Sequence, residues 1–291
     1  MSELDLVALD GRAVVRIGGE DRFEFLQNLV SGDVARVEQG LAIWSALLTP
    51  QGKYLFDFFL YPASGSILLD VEAGRALDLI RRLMLYRLRA RVTIEDESVH
   101  RQVFALLGRD APAAAGLAAN PGSCAPYGDG FAAVDSRVLE LGVRLVHPGP
   151  PSLPGATIAP FSTWDLARLA AGVPDGTRDL IVDRTTLLEA GFDELGGISF
   201  EKGCYVGQEL TARMKYRGLL KKRLFPIVTN EQALPEAGTP ITGPAGEEVG
   251  EMRSSSGQLG LALLRIEAAT GELTAGATRL EVRRPSWLAA A

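Results

Sequence analysis

Cysteine and histidine are scarce here: Cys124 and Cys204, His100 and His147, and no cysteine pair has the spacing of a zinc site or an iron–sulfur run. No metal centre built from this chain alone is expected, although one thiolate can still join a site completed by another chain or ligand. Long apolar runs are missing too, so no membrane-spanning segment is expected. The opening MSELDLVALD lacks the basic and apolar regions of a secretory signal, and the expected compartment is a reducing cytoplasm. Basic residues are outnumbered 30 to 36, giving a net charge of −6, which argues against a protein that coats nucleic acid. There is no Gly-rich phosphate loop and no G-x-S-x-G elbow.

What remains is a globular composition, 47% hydrophobic and 23% charged over 291 residues. The first part mixes strand and helix signals. Ala13 to Ile17 reads as a strand, and Phe23, Leu26, Leu29 and Val30 recur at helical spacing until Ser31-Gly32. Leu41 to Thr49 and Lys53 to Tyr61 flank Pro50-Gln51-Gly52 as a hairpin, and Ser66 to Val71 follows as another strand. Leu77, Ile80, Leu83, Met84 and Leu88 predict the buried stripe of a helix whose other faces carry Arg81, Arg82, Arg87 and Arg89. Arg91 to Glu95 returns to strand. Ala, Pro and Gly crowd residues 110–130, read as a linker or loop with a short alanine-rich helix, and residues 147–160 form a second break. Thr163 to Ala171 is helical and stops at Gly172. From about Leu219, short β runs between Gly, Pro and Asn clusters predict a small barrel. The expected class is α+β with a mainly antiparallel sheet, divided as 1–109, 110–218 and 219–291.

Chemistry concentrates in Gly197 to Gly218. Ile198-Ser199-Phe200 reads as a strand end, Lys202-Gly203 as a turn and Gly207 to Met214 as a helix, which puts Cys204 near a helix N-terminus. There the unpaired N–H groups and the Lys202 ammonium favour thiolate. Tyr205 offers a flat face for a ring, and Gln208 and Glu209 supply hydrogen bonds, so the segment reads as one wall of a ligand pocket. The same pattern equally suits a buried cysteine on a turn whose glycines serve packing. Arg213, Lys215, Arg217, Lys221, Lys222 and Arg223 form a basic run that suits a folate carboxylate tail, a phosphate or an RNA backbone, or simply a solvated face.

K-G-C-Y-V-G-Q-E-x-x-x-R at Lys202 to Arg213, preceded by G-G-I-S-F, resembles the signature of the YgfZ family of folate-binding proteins, relatives of the glycine-cleavage T-protein. Weaker matches in the same order are Gly19 to Val34, Leu47 to Tyr61, Tyr86 to Val92, and Arg168 with Ala171-Gly172-Val173-Pro174. The resemblance implies three subdomains around a central channel holding tetrahydrofolate, the last subdomain a β-barrel. It also implies a part in assembling or repairing iron–sulfur clusters, with client or assembly proteins as partners and an effect on a tRNA thio-modification enzyme. Carried over residue by residue, it makes Cys204 the required thiol, with Lys202 beside it, and puts Tyr205, Gly207, Gln208, Glu209 and Arg213 at the ligand. Glu189 falls where relatives place a carboxylate that recognises the folate ring, and reads otherwise as a solvated helix glutamate. Where the aminomethyltransferases carry adjacent aspartates this chain reads Phe56-Asp57. A folate-dependent one-carbon transferase, the alternative function, would have Asp57 as its acid.

Overall fold

The computed structural model describes residues 4–231 and 233–288, so the outermost residues of the first and last expected divisions lie outside the described residues. The chain opens with β1 (Leu4–Ala8), β2 (Arg12–Gly18), α1 (Arg22–Gln27) and α2 (Ala35–Glu38). β3 (Ile43–Leu48), β4 (Tyr54–Ala63) and β5 (Ser66–Glu72) lead to α3 (Ala76–Arg87) and β6 (Thr93–Asp96). β7 (Gln102–Leu107), α4 (Ala111–Ala114), β8 (Cys124–Tyr127), β9 (Gly130–Val134), β10 (Val143–His147), β11 (Ala156–Ala159) and α5 (Phe161–Ala171) come next. A long stretch with little regular structure reaches α6 (Gln208–Tyr216), after which β12 (Lys222–Val228), β13 (Pro240–Thr242), β14 (Glu248–Ser256), β15 (Leu259–Arg265), β16 (Leu273–Ala275) and β17 (Thr278–Val282) complete the fold.

The described strands form three sheets: one in the order β3-β4-β5-β2-β6, one in the order β11-β1-β7-β10-β9-β8, and a closed barrel β12-β15-β14-β13-β16-β17. The second sheet draws strands from both sides of position 109, because β1 lies between β7 and β11. All pairs are antiparallel except β1 with β11.

Alternation along β3 and β4 explains why these strands read as nearly unbroken apolar runs. Trp44, Ala46, Leu48, Tyr54, Phe59 and Tyr61 enter a central core shared with the second sheet and the barrel strand residue Leu224. Ile43, Leu47, Leu55, Phe58 and Leu60 enter a separate core beneath α1 and α3. Both faces are covered, so neither needs polar residues. The second sheet divides likewise, with Phe104, Leu106, Val143 and Leu145 in a core of their own with α4. Where the sheets meet, Trp44 and Phe192 stack with ring centroids 3.7 Å apart and planes 21° apart, and side chains fill that part of the junction.

Buried ion pairs tie the units together. Asp70 accepts from Arg12 Nε at 2.6 Å and from Arg144 Nη2 at 2.6 Å, and despite full burial these two guanidinium groups hold its carboxyl below the usual carboxylate range. Arg168 on α5 meets Asp165 at 2.7 Å and Asp179 at 2.6 Å, and also donates to Ser254 Oγ of the barrel at 2.7 Å.

Four local expectations need correction. Residues 110–130 contain strand β8 as well as the short helix, and residues 147–160 contain β11, an edge strand whose signal the surrounding Pro and Gly obscure. Ile198 to Phe200 is irregular chain; its backbone attaches to a turn instead of a ladder, with Ser199 N donating to Ser31 O at 2.9 Å. The helix stripe is displaced: Ala76, Leu79 and Leu83 are buried in α3, whereas Leu77, Met84 and Leu88 are exposed.

Candidate functional site

The Lys202 to Gly207 loop is anchored by the turn that ends the α1 region. Ser31, fully buried, donates through Oγ to Gly197 O at 2.7 Å and accepts from Ala46 N at 2.9 Å. On either side of it, the Val30 and Gly32 carbonyls accept from Lys202 Nζ at 2.8 and 2.7 Å. Lys202 N donates to Ser199 Oγ at 3.2 Å, closing the turn that leads to Cys204. Burial pushes the Lys202 amine down to about 8, with only a distant Asp33 charge opposing. Lys202 thus works as a strut whose nitrogen is engaged by two backbone oxygens.

Cys204 stands exposed as a free thiol, between that strut and buried Tyr205. Burial raises the Tyr205 phenol to about 12. The Lys202 Nζ sits 5.4 Å from the Tyr205 ring centroid. The helix begins later than the motif suggested: Gly207 is its N-cap, with φ +81°, so Cys204 precedes the first helical residue by four positions. The sulfur is therefore presented by a loop just ahead of the helix, where it is accessible.

Behind the loop lies the hairpin turn. A Cβ added to Gly207 would fall 2.4 Å from Thr49 O, and one added to Gly52 would fall 2.8 Å from Gly207 O. Pro50-Gln51-Gly52, expected as a hairpin, is thus also the seat on which the motif rests.

The remaining candidates separate. Glu209 and Arg213 lie on the exposed side of α6, and Gln208 at its start is half-buried. Lys215 pairs with Asp193, and Arg223 with Glu194 at 2.6 Å, so two members of the basic run are neutralised internally. Glu189 is half-buried in an irregular turn, where its Oε2 accepts from Thr186 N at 3.0 Å and Thr186 Oγ1 at 2.8 Å. Asp57 lies in the central core, 4% exposed, accepting from Trp44 Nε1 at 3.0 Å and Tyr54 OH at 2.8 Å. Burial raises its carboxyl above the ordinary range, against the opposing pull of Arg12 and these two donors. Sequence reasoning missed Ser31 and the Val30 and Gly32 carbonyls; Ser31-Gly32 had signalled only a helix stop.

The barrel carries the first external comparison: residues 221–290 match the model of the CAF17 C-terminal beta-barrel domain. Over 286 residues the chain is 34% identical to the human protein named iron-sulfur cluster assembly factor IBA57, mitochondrial, covering 91% of this chain and 78% of that one. The chain belongs to the IBA57 family. The mouse protein of the same name is 33% identical over 291 residues, again covering 91% of this chain and 78% of the relative. A solved glycine cleavage system aminomethyltransferase T from Bartonella henselae superposes with a TM-score of 0.80, covering 99% of this chain and 87% of that one. At 18% identity that likeness shows the fold: a mixed α/β aminomethyltransferase architecture ending in a closed six-stranded barrel.

IBA57-family membership corrects the cytoplasmic expectation, since the human and mouse relatives are named as mitochondrial. Free cysteines suit any reducing compartment. Among the described residues no helix is long and apolar enough to cross a membrane.

Of the residues expected at the folate, Glu189 accepts from Thr186 through Oε2 alone, Tyr205 is buried, and Gly207, Gln208, Glu209 and Arg213 lie at the N-cap and along α6. Trp44, the large flat face beside Asp57, is already stacked on Phe192, and both are buried. Asp57 is sealed beneath Trp44 and Tyr54, and Glu189 is engaged by Thr186. A cleft of about 430 Å³ is lined by residues that include Arg12, Glu72, Phe161, Asp175 and Arg178, and Arg12 and Asp175 are also the charged neighbours of Asp57.

Proposed function

We propose that the chain acts in iron–sulfur cluster assembly or repair, with Cys204 as the thiol that reacts with or transiently ligates a cluster or its carrier protein. The exposed sulfur on a loop held from below by Lys202 is the observation that carries this reading. The names of the human, mouse and Neurospora crassa relatives support the process. A thiolate is a soft ligand suited to iron–sulfur chemistry, and a single one per chain requires the remaining ligands to come from a partner or small molecule. An effect on tRNA thio-modification would follow from maturation of an iron–sulfur enzyme and is supported by the motif resemblance alone.

Tetrahydrofolate as a ligand, and aminomethyl transfer with Asp57 as acid, draw support from the motif resemblance and from the likeness in fold to a glycine cleavage system aminomethyltransferase. The burial of Asp57 beneath Trp44 and Tyr54 counts against the transfer. The decisive experiment replaces Cys204 by Ala in cells whose own copy is exchanged for the variant. Iron–sulfur enzyme activities should fall to the level of a deletion; wild-type levels would remove the thiol from the mechanism. Calorimetric titration with tetrahydrofolate tests the ligand: saturable binding abolished by Glu189→Ala would support the folate reading, and absence of saturable heat would remove it.

A further inference from the structure

The displaced stripe of α3 leaves an apolar surface without a partner. Leu77, Met84, Leu85 and Leu88 are 58%, 43%, 69% and 87% exposed. Their spacing puts Leu77, Met84 and Leu88 on one line, with Leu85 beside it. Leu88 ends the helix at φ +43°, a positive value that leucine rarely adopts. Arg81 pairs with Asp78 and Arg91 with Glu20 and Asp21, but among the described residues Arg82, Arg87 and Arg89 have no carboxylate partner. A chain of net charge −6 therefore concentrates unpaired positive charge beside exposed leucines.

The surface leads into a groove of about 370 Å³ between α1 and the end of α3, lined by Phe25, Leu29, Tyr86 and Leu88, with Arg87 and Arg89 alongside. Glu24 also lines it, while Asp21 is already paired. The groove and the motif loop share a core. Leu29 precedes Val30, whose carbonyl holds Lys202, and Val206 packs into the same core as Phe25 and Leu29.

We propose that this α1–α3 surface is the docking site for an amphipathic helix of a cluster-carrying protein, its apolar face on Leu77, Met84, Leu85 and Leu88 and its acidic flanks against Arg82, Arg87 and Arg89. The complementary charge sets the orientation. This inference rests on the cluster-assembly reading above.

Two arms test it. In the first, the full chain is titrated with a fluorescent helical peptide carrying leucines on one face and glutamates on its flanks, and with a counterpart whose flanks are lysines. Wild type should prefer the glutamate peptide, and Arg87→Glu/Arg89→Glu should weaken it about tenfold and gain the lysine peptide. Equal binding of both peptides by wild type, or an unchanged preference in the variant, overturns the proposal. In the second, Leu85→Glu/Arg87→Glu replaces the cellular copy, with thermal melting and protection of Cys124 from alkylation confirming a folded chain; Arg87→Glu/Arg89→Glu serves if that variant melts early. Loss of iron–sulfur enzyme activity supports docking. Retention beside a defective Cys204→Ala strain overturns docking and leaves the function standing. Loss here beside a fully active Cys204→Ala strain supports docking and removes the thiol role. Wild-type self-association that Leu85→Glu/Leu88→Glu abolishes assigns the surface to a second copy and overturns the proposal.

Discussion

Gly52 and Gly207 meet backbone to backbone: a Cβ on Gly207 would lie 3.0 Å from the Gly52 Cα. Residues distant in the chain are thereby locked together, and the lock needs glycine on both sides, each with positive φ, +79° and +81°. Gly207→Ala adds a methyl group 2.4 Å from Thr49 O and strains the backbone at once. The expected loss is about 2–4 kcal/mol in urea unfolding, with the Cys204 loop detached. A variant as stable as wild type would show that the two segments do not rest on each other.

The two thiols should react very differently. Burial raises Cys124 to about 12, whereas Cys204 is exposed. Iodoacetamide at pH 8 should modify Cys204 alone in the native chain and both residues in denaturant, as read by peptide mass spectrometry. Prompt native labelling of Cys124 would contradict its burial.

Lys202 makes stability depend on pH in a defined direction. Its folded value, about 8, lies below its unfolded value near the ordinary 10.5. Between these the unfolded chain binds the extra proton, so this residue's contribution to stability rises as pH increases from about 8 to 10.5. A neutral amine still has two N–H bonds for Val30 O and Gly32 O. Stability of wild type relative to Lys202→Met should therefore grow across that window in denaturant titrations, and a falling difference would reverse the assignment.

Asp57→Asn separates a buried structural carboxylate from a catalytic acid. With Trp44 and Tyr54 covering it, cellular iron–sulfur enzyme activity should stay within about twofold of wild type. A drop of roughly tenfold at unchanged melting temperature would restore Asp57 to the chemistry.

Arg168→Met strands the buried carboxylate of Asp179, while Asp165 keeps Arg178 and Ser254 of the barrel keeps Asp179. Leaving buried charge unpaired should cost about 3–5 kcal/mol, and adding Asp179→Asn should recover part of it. Full additivity of the two substitutions would show that they do not interact.

Local chemistry was the legible part of the fold. The hairpin at Pro50 to Gly52, the αL stop at Gly172 and the short strands of the barrel all follow from turn residues and β runs, whose physics acts within a few positions. Illegible were the features set by distant partners. β1 takes its sheet from β7 and β11, and α3 buries Leu79 while exposing Leu77, because both sets of leucines satisfy a helical period and only the neighbours distinguish them. Within the site, the motif announced Cys204, while the Ser31 anchor came from a turn with no chemical signature of its own.

By itself the sequence determined which residues carry unusual chemistry: a lone thiol between glycines, a lysine two positions before it, an aspartate among aromatic residues. Tertiary structure alone decided their roles, exposing the thiol, burying the lysine against two carbonyl oxygens and sealing the aspartate under Trp44. The reason is that accessibility and electrostatic environment are properties of packing, and packing joins residues that no local pattern links.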